Sequence, residues 1–229
     1  MRFLIFLLLL FVQCFASFSN RKLVYATKDT AFYLLKKEDI ANSDLLTQAF
    51  LHPYKVEAKK LKDILSGIRY IRSTSMGDYD DFLFSEEELD NISKDLINVI
   101  HNLKDDETAV VISKYDPIKS VISVHKRTSF IVWFDASGMN LVFGEIQKVI
   151  SRDKVRSQYD WTIIPEINIK SSNTGYARLN ENDRQFKFKL INGFPNKRWI
   201  VFDMTKLGMY KFKKRSSIKP KKVDQSGQN

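Results

Sequence analysis

Cysteine occurs once in these 229 residues, at Cys14. A single thiol closes no intrachain disulfide, and it leaves a cysteine-ligated metal without a second ligand. Histidine is nearly as scarce: His52, His101 and His125 lie far apart, and none has the H-x-x-x-H spacing that sets two imidazoles on one helix face. No metal site is expected. The eight glycines form no P-loop, no G-x-G-x-x-G dinucleotide fingerprint and no G-x-S-x-G elbow. Phosphate cradles and a serine nucleophile on a sharp turn are excluded with them, and no cofactor is expected. What the chain does have is 44% hydrophobic and 13% aromatic residues, enough for a packed core and too many for a disordered body.

The net charge of +10 is unevenly placed. Residues 205–229 hold eight Lys or Arg against one Asp, so the remainder is almost neutral. High overall basicity is then a property of a tail, not the mark of a nucleic-acid-binding fold. At the other end, Met1-Arg2 precedes ten apolar residues, Phe3 to Val12, and then Cys14-Phe15-Ala16. A positive start, a short greasy run and small residues describe a secretory leader over 1–16. Ten residues rise about 15 Å as a helix, half of what a bilayer requires. Cleavage after Ala16 leaves a cysteine-free mature chain in the periplasm, in the outer envelope or secreted. A lipoprotein reading keeps Cys14 as the lipidated first residue, although Gln13 stands where a small residue is usual.

The organising stretch is Thr128 to Ile150. Two β-rich apolar runs flank Asp135-Ala-Ser-Gly138, a hairpin signal with Gly138 at the left-handed position. Phe130 to Phe134 is apolar without alternation, so both faces of that strand should be covered and the hairpin should lie mid-sheet. Apolar spacing of three and four predicts helices over Ala58–Ile71 and Ser85–Lys104, the second opened by the Ser85/Glu88 capping box. A further helix is expected over Ala31–Ile40. Ser73–Asp81 reads as a polar loop whose Asp78, Asp80 and Asp81 lack the ladder of a calcium loop. Strands are expected at Lys22–Tyr25, Thr108–Ser113, Ile118–His125, Trp161–Ile169, Phe186–Leu190 and Arg198–Phe202, with a loop over 170–183. The order predicts an α+β fold: a mainly antiparallel sheet with N-terminal helices packed on one face, in a single domain over 17–204.

Asp135 and Glu145 flank the hairpin and could pair as acid and base, but carboxylates at hairpin ends usually face water. Phe186-Lys-Phe-Lys189 is the one stretch resembling a base-stacking platform. An amphipathic strand explains it equally well, and the leader argues against nucleic acid as a partner. The end of the chain, read as a disordered tail over 205–229, offers Lys211, Lys213, Lys214, Arg215, Lys219, Lys221 and Lys222 to an anionic surface such as phospholipid or lipopolysaccharide.

Three pieces together resemble a group of uncharacterised proteobacterial envelope proteins, many described as lipoproteins. They are the Ala58–Ile71 helix, the Phe84-Ser85-Glu-Glu-Glu88 helix start with its acidic connector and buried strand, and the hairpin ending Asn140-Leu-Val-Phe-Gly-Glu145. They cover about 55–150, and the group supplies no catalytic residues to carry over. The resemblance implies an envelope location. Two functions are expected: a non-catalytic exported protein that binds a partner or the envelope surface, or an exported hydrolase whose carboxylates meet only in the fold.

Overall fold

The computed structural model describes residues 20–117, 124–150, 160–173, 175–180, 185–215 and 221–222. In chain order these form β1 (Lys22–Ala26), β2 (Thr30–Lys36), α1 (Ala58–Ser66), β3 (Arg69–Thr74), β4 (Gly77–Phe82) and α2 (Glu86–Ile100). Then follow β5 (Glu107–Tyr115), β6 (Lys126–Asp135), β7 (Gly138–Val149), β8 (Ala177–Leu179), β9 (Lys187–Ile191), β10 (Phe194–Phe202) and β11 (Lys221–Lys222).

Seven strands make one antiparallel sheet in the order β1-β2-β5-β6-β7-β10-β9, with β6 in the middle. Its hairpin with β7 sets Phe130 opposite Phe143 and Val132 opposite Leu141. Phe130 to Phe134 are all buried, because alternate side chains enter different cores. Phe130, Val132 and Phe134 join a cluster with Leu61, Ile64, Leu89, Ile92 and Leu96. Ile131 and Trp133 join a second cluster with Ile40, Phe50, Ile167 and Ile169, which come from irregular segments. A strand buried on both sides has no polar face to show, which is why the run lacks alternation. A smaller sheet has the order β11-β4-β3-β8. The fold is α+β: mostly antiparallel sheet with few helices.

The start of α2 follows its sequence signature. Ser85 Oγ accepts from Glu88 N at 3.1 Å, and Glu88 Oε2 accepts from Ser85 N at 2.9 Å. Leu89, Ile92, Leu96, Val99 and Ile100 form its buried stripe.

Several expectations are corrected. Ala31–Ile40 is not a helix: Thr30–Lys36 is a strand between β1 and β5, followed by a 3-10 turn at Lys37–Asp39. Phe32 enters one core and Tyr33 and Leu35 the other, and apolar residues on both sides look alike in strand and helix. The Ala58–Ile71 helix ends at Ser66, with Gly67 as its C-cap. Ile68 and Ile71 are buried all the same, so the helical period runs on by coincidence into β3. Ser73–Asp81 is no loop but the turn and second strand of the β3–β4 hairpin. Two of its aspartates are matched by arginines: Arg69 Nε lies 3.0 Å from Asp80 and Arg178 Nη2 lies 3.0 Å from Asp78. Trp161–Ile169 runs without strand structure except for one bridge, Asn168 to Ala41. Within 170–183, Ala177–Leu179 pairs with β3. The strand expected at Ile118–His125 lies outside the described residues up to 123, and 124–125 are not strand. The expected leader with Cys14 also lies outside them.

Candidate functional site

The basic end of the chain does not trail from the body at 205–215, contrary to the disordered tail expected there. It is a strap. Asp203 caps the 3-10 stretch Met204–Met209 by accepting from Thr205 N at 3.0 Å. The Thr205 hydroxyl and the Lys206 ammonium, 2.9 Å away, hold the Asp203 carboxyl down at about 2. Tyr210 is buried against Phe202 and donates its hydroxyl proton to Asp203 O at 3.2 Å. Further on, Lys213 N donates to Ser66 Oγ at 2.9 Å.

Arg215 fastens the far end. Its Nε and Nη2 donate to Phe84 O at 2.9 and 2.7 Å, its Nη1 to Ser66 O at 2.7 Å, and its backbone N to Glu86 Oε1 at 3.0 Å. Burial lowers this guanidinium to about 10, so it stays charged at neutral pH. The Phe82 ring carries two guanidinium groups, Arg215 at 4.1 Å and Arg69 at 4.5 Å from its centroid. Beyond, Lys221 and Lys222 pair with Asp80 and Tyr79 as β11.

The residues expected to meet an anionic surface thus divide. Lys211, Lys213 and Lys214 are exposed side by side. Arg215 is occupied with backbone carbonyls and is an anchor, not a surface group. Lys219 lies outside the described residues. Lys221 and Lys222 contribute strand pairing to β4. Sequence reasoning missed two apolar residues interleaved with the lysines, Met209 at 73% and Phe212 at 36% exposure. Their signal was present: large apolar residues inside a charged run with no periodic partner.

Beside the strap, at the end of the β9–β10 ladder, lies a groove of about 440 Å³. Phe186, Val201, Met209 and Tyr210 give it apolar walls, and Lys187, Asp203 and Lys206 stand in its lining. Residues 185–215 carry nine Lys or Arg against Asp203 alone.

The hairpin carboxylates do not form a catalytic pair, and neither faces water as expected. Asp135 accepts from Trp133 Nε1 at 3.1 Å and from Ser137 N at 2.8 Å, closing the turn. Glu145 is clasped by Arg127 through Nε at 2.5 Å and Nη2 at 3.0 Å, while Arg127 Nη1 donates to Trp161 O and Ile163 O. Both acids are spent on structure.

A polar cavity of about 360 Å³ lies by the N-terminus of α2, with Glu88, Asp29, Lys114, Asp116 and His125 in its lining. Glu88 is 4% exposed, and burial raises its carboxyl pKa. One of its oxygens serves the capping box and the other accepts from Ser113 Oγ at 2.8 Å. A carboxyl with both oxygens engaged is poorly placed to activate water. Among the described residues no three His, Cys, Asp or Glu converge on a metal position, and no helix is long and apolar enough to cross a membrane. No family model, no curated protein and no solved structure matches this chain.

Proposed function

We propose that the chain is an exported, non-catalytic envelope protein that docks on an anionic phospholipid surface through its C-terminal strap. The leader sequence supports export, and the cysteine-free remainder suits the periplasm or outer envelope. In this reading α1 and α2 layer on one face of the large sheet, and the strap crosses that side of the molecule to β4. The observation that carries it is the exposed run Lys211, Lys213 and Lys214, fixed between the Tyr210 and Arg215 attachments. Cations held by a folded segment lose less freedom on docking than cations on a free tail, and each contributes about 1 kcal/mol near an anionic membrane.

Deleting the strap would remove its structural attachments as well as its charge, so the test is neutralisation. Lys211→Gln/Lys213→Gln/Lys214→Gln should lose about 3 kcal/mol, roughly a hundredfold in affinity, for phosphatidylglycerol-containing vesicles at low salt. Added salt should weaken the wild type in the same direction. Co-sedimentation unchanged by the triple substitution overturns the proposal. The hydrolase reading has the raised Glu88 carboxyl in its favour and the engaged oxygens against it. Glu88→Gln with hydrolysis of a broad ester and glycoside panel abolished would reinstate it.

A further inference from the structure

We propose that the groove beside the strap holds one anionic phospholipid drawn from the bilayer. It would take a length of acyl chain between Phe186, Val201, Met209 and Tyr210, with the phosphate at Lys187 and Lys206. This rests on the docking surface proposed above and names its ligand. Three observations lead there.

The first is shape and chemistry. The groove is about 440 Å³, within the range that holds small ligands. Its walls are two rings, a valine and a methionine with Ser137 and Gln185 beside them, and its charged groups are two lysines and one aspartate. An amphiphile with a single anionic head meets both parts. Register sets Lys187 directly opposite Val201, so the Lys187 stem and Val201 share one side of the ladder, while Phe186 and Tyr210 reach the groove from the core on the other side. Asp203 binds Lys206 at 2.9 Å, which fixes that ammonium and leaves Lys187 as the stronger attraction for a phosphate.

The second is the exposure of Met209, at 73%. It lines the groove and precedes Lys211, the first of the strap's exposed lysines, by two residues. An unbranched, polarizable side chain adapts to a flexible alkyl chain. Phe212, three residues on, is the second large apolar group in the same run; the Lys62 ammonium lies 5.1 Å from its ring centroid, so Met209 is the freer of the two to meet lipid.

The third is charge. The groove's lining holds two lysines against Asp203 alone, so a neutral lipid would leave Lys187 without a counter-charge, and a cationic amphiphile would be repelled.

The full chain labelled with 13C at its methionine methyl groups tests this. Met209 is assigned by the loss of its signal in Met209→Leu, and Met76, exposed on the β3–β4 turn, is the internal control. Dihexanoyl phosphatidylglycerol, kept below its micelle concentration, should shift Met209 saturably at one equivalent and leave Met76 in place. Dihexanoyl phosphatidylcholine should bind at least about tenfold more weakly, and inorganic phosphate should not move Met209. Lys187→Glu, checked by thermal melting to be folded, should weaken the phosphatidylglycerol shift at least about tenfold. A Met209 signal that stays still, that responds equally to phosphatidylcholine, or that is indifferent to Lys187→Glu overturns the proposal. The two readings fail separately. Vesicle docking that depends on Lys211, Lys213 and Lys214 while Met209 ignores soluble lipid removes lipid capture alone. A saturable Met209 shift with vesicle binding untouched by the triple substitution removes the docking strap alone.

Discussion

At the residue scale, burial decides what ionisable and small groups can do. His52 lies edge-on to the rings of Phe50 and Phe134, at 5.6 and 6.0 Å between centroids. Desolvation there lowers its pKa from 6.5 to about 4. The unfolded chain therefore takes up this proton first as pH falls. Stability from neutral His52 is complete above about 6.5 and drains away between 6.5 and 4. The full shift would be worth about 3 kcal/mol; solvent screening of a partly exposed ring reduces that to roughly 1–2 kcal/mol. Melting at pH 7 and pH 4.5 should show a smaller acid loss in His52→Leu than in the wild type. Gly138 is a second case. Its φ is +126°, and a Cβ there would sit 2.0 Å from the Phe202 carbonyl oxygen. Gly138→Ala must strain the turn and push against backbone that cannot rotate away, so a loss of at least about 2 kcal/mol is expected in chemical denaturation. The sequence marked Gly138 as a positive-φ position; it could not reveal that β10 comes so close.

At the scale of elements, the stretches read correctly are those whose signals agree at several levels. The second helix has a cap, acidic residues at its start and an apolar stripe, and all three appear in α2. Leu96 is fully buried in the middle of that stripe. Leu96→Asp should cost at least about 4 kcal/mol and leave little folded protein at 37 °C, as read by circular dichroism. The stretches misread are those with one signal only. Thr30–Lys36 has its apolar residues together because both of its sides are covered, and nothing local distinguishes that from a helix. The β3–β4 hairpin hides behind Asp78, Asp80 and Asp81; Arg69 of the neighbouring strand claims Asp80 and Arg178 of β8 claims Asp78. Propensity for a loop loses there to cross-strand charge pairing.

At the scale of the whole molecule, the strap links the two sheets. It leaves β10 at Phe202 and reaches Ser66, Phe84 and then β4. Arg215 makes this link with charged hydrogen bonds to two carbonyls and one carboxylate. Arg215→Ala strands those carbonyls and removes one of the two guanidinium groups on Phe82, at about 2–3 kcal/mol. For a chain of this size the melting temperature should fall by roughly 5–10 °C. A drop below about 2 °C would mean the strap adds little to the fold. The same segment presents the lysines of the proposed docking surface, so stability and binding are separable by residue: Arg215 for the first, Lys211, Lys213 and Lys214 for the second.

By itself the sequence determined the central hairpin, the capped helix, the last two long strands and the concentration of positive charge near the end, because each is written in contiguous residues. Only the tertiary structure decided that the charged end is strapped down, that Arg215 is an anchor among cations that look alike, and that Asp135 and Glu145 are engaged elsewhere. Arg215 is claimed by the Phe84 carbonyl from far along the chain and Glu145 by Arg127 across the hairpin, while Asp135 is held by Trp133 and Ser137 only because the turn folds them onto it. A lysine or arginine in a linear string carries its charge with it, but not the distance to the group that will claim it.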